Sequence, residues 1–106
     1  MKVITLILLV ASALSLRAAD PKALWDANCA QCHGKDGRAD TKMGKQLSAK
    51  DLTDPKVQAA FTDAKATQSI KEGVKENGKT TMKAFGGKLT DDEIKALVAY
   101  TRTLKK

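Results

Sequence analysis

Residues 29–33 read Cys29-Ala30-Gln31-Cys32-His33, and the reading of these five positions decides the fold. The chain has 106 residues with two cysteines and one histidine, and all three sit in this stretch. A disulfide between Cys29 and Cys32 would close so short a loop that it would remove little chain entropy, and it would leave His33 without a role. A thioredoxin-like redox pair belongs beside a βαβ unit. No segment here shows sustained alternation rich in Val, Ile and Thr. Structural zinc asks for four Cys or His ligands, and three crowded residues do not supply them.

The fourth chemistry for C-x-x-C-H is covalent attachment of a c-type haem. Two thiols three residues apart near a helix end can reach the two vinyl groups on one edge of the macrocycle. The adjacent His33 then turns its imidazole toward the iron. Such a group would also answer a size problem. Residues 1–20, MKVITLILLVASALSLRAAD, carry Lys2, an apolar run from Val3 to Leu16 and then small residues, the pattern of a secretory signal peptide. The run is short for a membrane-spanning helix. Residues 1–19 are therefore expected to be a signal peptide and 20–106 a single domain, exported to the periplasm or an equivalent space. An uncleaved leader would anchor it to the membrane. Residues 20–106 make a domain close to the size at which one hydrophobic core is marginal. Its aromatic residues are Trp25, Phe61, Phe85 and Tyr100. A buried cofactor supplies the apolar bulk that this sequence lacks.

Helix signals surround the motif. Asp20-Pro21 is an N-cap followed by proline at the first helical position, so a helix runs through PKALWDANCA into the cysteines, with Leu24 and Ala27 inward. HGKDGRADTKMGKQL is loop-like, with Gly34, Gly37 and Gly44. Asp54-Pro55 opens a second helix, whose apolar face is Val57, Ala60 and Phe61. The spacing of Ile70 and Val74 predicts a third over 67–78, and GKTTMKAFGGKL is a loop. Thr90 and Glu93 form a capping box. Ile94, Leu97, Val98, Thr101 and Leu104 then fall on one helical stripe. The expected fold class is all-α, about four helices, with the N- and C-terminal helices packed together.

An iron held by one histidine has a sixth position. The chain has no second histidine, so the candidates are Met43, Met82, a lysine, or nothing. Met82 lies 49 residues beyond His33, in a stretch between two helices that can cross to the opposite face. Met43, ten residues beyond, reads as packing. Met/His ligation raises the reduction potential and suits electron transfer. Phe85, Leu97 and Leu52 are the expected apolar haem wall.

Taken together, the sequence resembles the class I (monohaem) cytochrome c family over nearly all of residues 20–106. ANCAQCHGKDG matches the attachment motif, TMKAF at 81–85 the distal methionine loop, and LTDDEIKALVAYTRTL at 89–104 the C-terminal helix. The resemblance implies thioethers at Cys29 and Cys32, one covalent haem c, and axial ligation of its iron by His33 and Met82. It also implies a cytochrome c-like fold wrapped around that haem. The function so implied is one-electron transfer between redox partners, not enzymatic turnover of a small-molecule substrate. The alternative is a haem enzyme or gas or redox sensor with an open or labile sixth site. Two departures stand out. Many members have a proline after the motif whose carbonyl accepts the proximal imidazole proton, and many have proline directly after the ligand methionine. Here the only prolines are Pro21 and Pro55, and Lys83 follows Met82.

The formal net charge is +7. An exported protein without a basic helix interleaved with aromatics is not expected to bind nucleic acid. Lys79, Lys83 and Lys88 flank Met82, while Lys35, Arg38, Lys42 and Lys45 follow the motif. A basic rim there would steer a monomeric carrier to acidic docking surfaces on a dehydrogenase, quinol-oxidising complex, oxidase or reductase.

Overall fold

The computed structural model describes residues 20–106; the leader segment expected over 1–19 lies outside the described residues. Asp20 caps helix α1 (Pro21–Asn28) by accepting from Lys22 N at 3.1 Å, with Pro21 in the first turn. A short turn α2 (Ala30–His33) follows almost without interruption, since Cys29 N donates to Trp25 O at 2.8 Å and His33 N to Cys29 O at 3.0 Å. Gly34 ends it at φ +77°, a left-handed conformation that glycine adopts without steric cost.

The stretch expected to be a loop after His33 contains a one-turn helix, α3 (Lys42–Gln46), capped by Thr41. The Thr41 hydroxyl donates to Cys32 O at 2.7 Å and accepts from Gly44 N at 2.9 Å. A Cβ at Gly44 would collide with the Cys32 carbonyl oxygen, so glycine lets α3 lie directly on the motif. Helix α4 (Pro55–Ala59) starts at Asp54-Pro55 as expected. It stops before Phe61, and its buried residue is Gln58 rather than an apolar one.

The largest departure comes next. Helix α5 (Asp63–Glu72) begins earlier than the sequence suggests, at the Thr62 cap, and ends at Gly73 with φ +78°. Residues read as the end of a helix and a following loop instead form a two-stranded antiparallel hairpin, β1 (Val74–Glu76) and β2 (Lys79–Met82). Asn77 and Gly78 connect them, both at positive φ (51° and 78°). That is the type I′ geometry whose twist matches paired strands, and Asn-Gly is its strongest sequence signal. The i, i+4 spacing of Ile70 and Val74 mimicked a helix across this turn. The fold is therefore mainly helical with a small sheet, and the all-α expectation is corrected to that extent.

Helix α6 (Asp91–Thr103) has the complete capping box: Glu93 N donates to Thr90 Oγ1 at 3.1 Å, and Thr90 N to Glu93 Oε1 at 3.0 Å. Ile94, Leu97, Val98 and Thr101 are buried along its inner face. Ile94, Leu97 and Val98 join Trp25, Leu52, Ile70, Phe85 and Leu89 to form one core between α1, α5 and α6. The first and last helices pack as expected.

Candidate haem-binding site

Cys29 and Cys32 lie one turn apart, both free thiols and both half-buried. Burial, with a smaller contribution from neighbouring Cys32, pushes the Cys29 thiol up to about 11. A redox-active pair needs the opposite, a thiol acidified by an electropositive neighbourhood. Cys29, packed against the apolar cluster, does not sit in such a neighbourhood.

His33 Nδ1 stands 3.2 Å from the carbonyl oxygen of Lys50. A carbonyl can only accept, so the ring proton sits on Nδ1 and the lone pair is left on Nε2. Burial holds the imidazole pKa below its usual value, the Lys50 carbonyl acting weakly the other way. A neutral ring with a fixed tautomer and a directed Nε2 lone pair is the form in which histidine ligates a metal. The carbonyl comes from Lys50, in a chain with no proline in that loop.

Trp25 covers the inner side of this unit. Its ring is 2 % exposed, its Nε1 donates to Gly34 O at 2.9 Å, and its centroid lies 5.8 Å from that of His33. The indole therefore ties the end of the motif back onto α1.

Met82 closes β2. The hairpin pairs Glu76 with Lys79 and Lys75 with Thr80, and an irregularity then sets Val74 opposite Met82. Met82 is half-buried and packs against the same apolar cluster as Cys29, which includes Leu52, Phe85 and Leu97. Phe85 N donates to Ile70 O at 2.8 Å and Gly86 N to Lys71 O at 3.0 Å, fastening the segment after Met82 to α5. Met43, by contrast, is 36 % exposed on α3. Cys29 and Met82 pack against one apolar cluster with Leu52, Phe85 and Leu97, Cys32 and the oriented His33 imidazole follow Cys29 within the next turn, and this donor set fits a covalently held haem.

The basic residues divide. Arg38 lies 3.7 Å from Asp36 and Lys45 3.0 Å from Asp40, both exposed pairs. Lys83 Nζ sits 5.3 Å over the Phe85 ring. Sequence reasoning left the partner of His33 open and missed the part played by Gln58. A backbone acceptor has no residue-type signature, and a buried glutamine inside a polar helix has no periodic one.

A family model described as cytochrome c oxidase, cbb3-type, subunit III matches residues 16–100. The chain is 36 % identical over 81 residues to the Cbb3-type cytochrome c oxidase subunit FixP of Azorhizobium caulinodans, covering 76 % of this chain and 25 % of FixP. It thus spans about a quarter of that relative's length. It is 34 % identical over 79 residues to cytochrome c6 of Tetradesmus obliquus, covering 74 % of this chain and 81 % of that protein. Cytochrome c6 of Leptolyngbya boryana is 35 % identical over 77 residues, covering 73 % and 80 %. Among solved structures, the KustC0563 c-type cytochrome superposes with a TM-score of 0.74 at 38 % identity, over 82 % of this chain and 99 % of that one.

Proposed function

Because the cytochrome c-type family match over residues 16–100 and the cytochrome c6 relatives place the chain among the class I monohaem c-type cytochromes, and it so binds haem c covalently and transfers electrons through it, we propose that it is a one-electron carrier with His33 and Met82 as axial ligands. Cys29 and Cys32 form the two thioethers. The observation that carries this reading is the His33–Lys50 hydrogen bond, which occupies Nδ1 and leaves the Nε2 lone pair for a metal.

When bound, the haem supplies a metal that cycles between ferric and ferrous states. The protein's own residues do the rest. The thioethers prevent dissociation. Lys50 holds the imidazole plane and adds electron density through Nδ1. Phe85, Leu52 and Leu97, all buried, would form the apolar wall that keeps water from the bound haem. The Met82 thioether, as a second ligand, would favour the ferrous state. With His33 and Met82 both held as ligands, little would move on reduction, which would lower the reorganisation that each electron transfer requires.

The leader over residues 1–19 supports export, so the carrier works outside the cytoplasm. Lys35, Lys42, Lys79 and Lys88, all exposed, form the basic surface for an acidic redox protein. Among the described residues no helix is long and apolar enough to cross a membrane.

The test is an absorption spectrum of the protein matured with haem. Sharp low-spin ferrous bands together with the weak far-red methionine-to-iron band in the ferric form are expected. High-spin bands would transfer the assignment to a haem enzyme or sensor with an open sixth site.

A further inference from the structure

Lys50 can accept from His33 only if the strap Lys50–Thr53 is held in place, and the strap's own backbone shows what holds it. Leu52 is pinned at both polar groups. Its N–H donates to Gly37 O at 2.8 Å, on the loop that leaves the haem motif. Its carbonyl accepts from Gln58 Nε2 at 2.6 Å. Gln58 is 5 % exposed. Its second Nε2 proton goes to Thr101 O at 2.9 Å, in the last turn of α6. Its Oε1 accepts from Arg102 Nη1 at 2.9 Å. Arg102 is itself immobilised: Nη1 also reaches Gln58 O, Nη2 donates to Phe61 O at 2.8 Å, and Nε to Asp63 Oδ1 at 2.9 Å. The guanidinium lies 4.3 Å over the Phe61 ring.

We infer that Gln58, locked by Arg102, is a positioning residue for His33: it sets the Lys50 carbonyl by fixing Leu52, and so couples the C-terminal helix to the proximal side of the iron. The inference rests on His33 being the proximal ligand, as proposed above. Its logic is one of satisfied groups. A buried amide with every polar atom engaged has one allowed position. A single residue, Asp51, lies between the carbonyl it grips and the carbonyl that His33 uses, too short a span to absorb a shift. Packing alone would be served by leucine or methionine at 58.

The experiment compares the haem-loaded wild type with Gln58→Leu, Arg102→Lys and a control, Thr90→Ala, which removes the α6 cap far from the strap. Three quantities are read: the denaturation midpoint, the solvent exchange of the His33 ring N–H in the ferrous protein by NMR, and the reduction potential. Freeing the strap lets it open more often, so the ring proton in Gln58→Leu should exchange about tenfold faster. A weaker bond to Lys50 lowers ligand basicity, so the potential should move upward. Arg102→Lys, which keeps a cation but loses the fork, should show the same two changes in smaller measure. Thr90→Ala should lower the midpoint and leave both proximal readouts alone. If Gln58→Leu and Arg102→Lys lower only the midpoint, as the control does, Gln58 is a packing residue and the inference is overturned. A wild type without the far-red methionine band removes Met82 from the proposed function but leaves these proximal readouts intact, so the two failures are distinguishable.

Discussion

The Trp25 ring centroid lies 5.5 Å from that of Tyr100, the planes inclined by 48°, and this contact joins α1 to α6. Tilted aromatic pairs at this spacing stabilise beyond the area they bury. Trp25 also braces His33 from the other side. Trp25→Ala should therefore cost about 3–5 kcal/mol, the range for truncating a buried aromatic. Tyr100→Leu, which keeps apolar volume at a half-buried position, should cost about 1 kcal/mol. Urea denaturation of the haem-loaded protein checks both; equal costs would mean that the helix contact does not depend on the indole.

Two glycines of the hairpin region make a controlled comparison. Gly73 and Gly78 share φ +78°. A Cβ at Gly78 would meet nothing within 4 Å, whereas one at Gly73 would lie 2.7 Å from the Met82 carbonyl oxygen. Gly78→Ala should cost only the backbone strain, about 1–2 kcal/mol. Gly73→Ala adds steric displacement of Met82, and should both destabilise more and weaken the far-red ferric band. Indistinguishable spectra for the two variants would separate Gly73 from the distal ligand.

The two candidate methionines differ in burial. Met82→Ala should open the sixth position, give high-spin ferric bands and lower the reduction potential, because the thioether favours ferrous iron. Met43→Leu, at an exposed site, should leave the spectrum unchanged and stability within about 0.5 kcal/mol. A reversal of these outcomes would reassign the ligand to Met43.

Asp51 gives a pH signature. Its carboxylate accepts from Thr53 Oγ1 at 2.6 Å and from Thr53 N at 2.9 Å. The hydroxyl bond first, and the backbone bond next, hold its pKa below the ordinary carboxylate value. A depressed folded pKa means that the stabilisation is present above the unfolded pKa, near 3.9, and is lost as pH falls through the folded one. Asp51→Ala should therefore be less stable than wild type at pH 6, and the two curves should converge in acid. Denaturation midpoints across this range decide it; a constant offset would mean that the carboxylate charge is irrelevant.

The basic surface makes a kinetic claim. Steering by exposed lysines weakens as ionic strength rises, because the screening length contracts from about 30 Å at 0.01 M to about 8 Å at 0.15 M. Stopped-flow rates with an acidic redox protein should fall steeply over that interval, and Lys42→Glu and Lys79→Glu should flatten the dependence. Salt-independent rates would remove electrostatic steering from the proposal.

Much of this protein was legible in the sequence, and the reason is chemical. Five consecutive residues carry all the cysteine and histidine, so the candidate attachment motif and its histidine were visible without tertiary information. The capped starts at Asp20, Asp54 and Thr90 were readable too, because an N-cap and its acceptor lie within one turn of each other. So was the buried face of α6, whose stripe repeats every turn. The hairpin was not read, although Asn77-Gly78 announced it, because Ile70 and Val74 fit a helical repeat equally well when the left-handed turn at Gly73 is unknown.

Tertiary structure alone decided the rest. Which carbonyl faces His33 depends on how residues 37–53 fold back over the motif, and a carbonyl is the same in every residue. That Gln58 rather than an apolar side chain fills the space under the strap depends on Arg102, 44 residues away. Local chemistry wrote the candidate motif into the chain, whereas the acceptor that orients His33 came from contacts between segments distant in sequence.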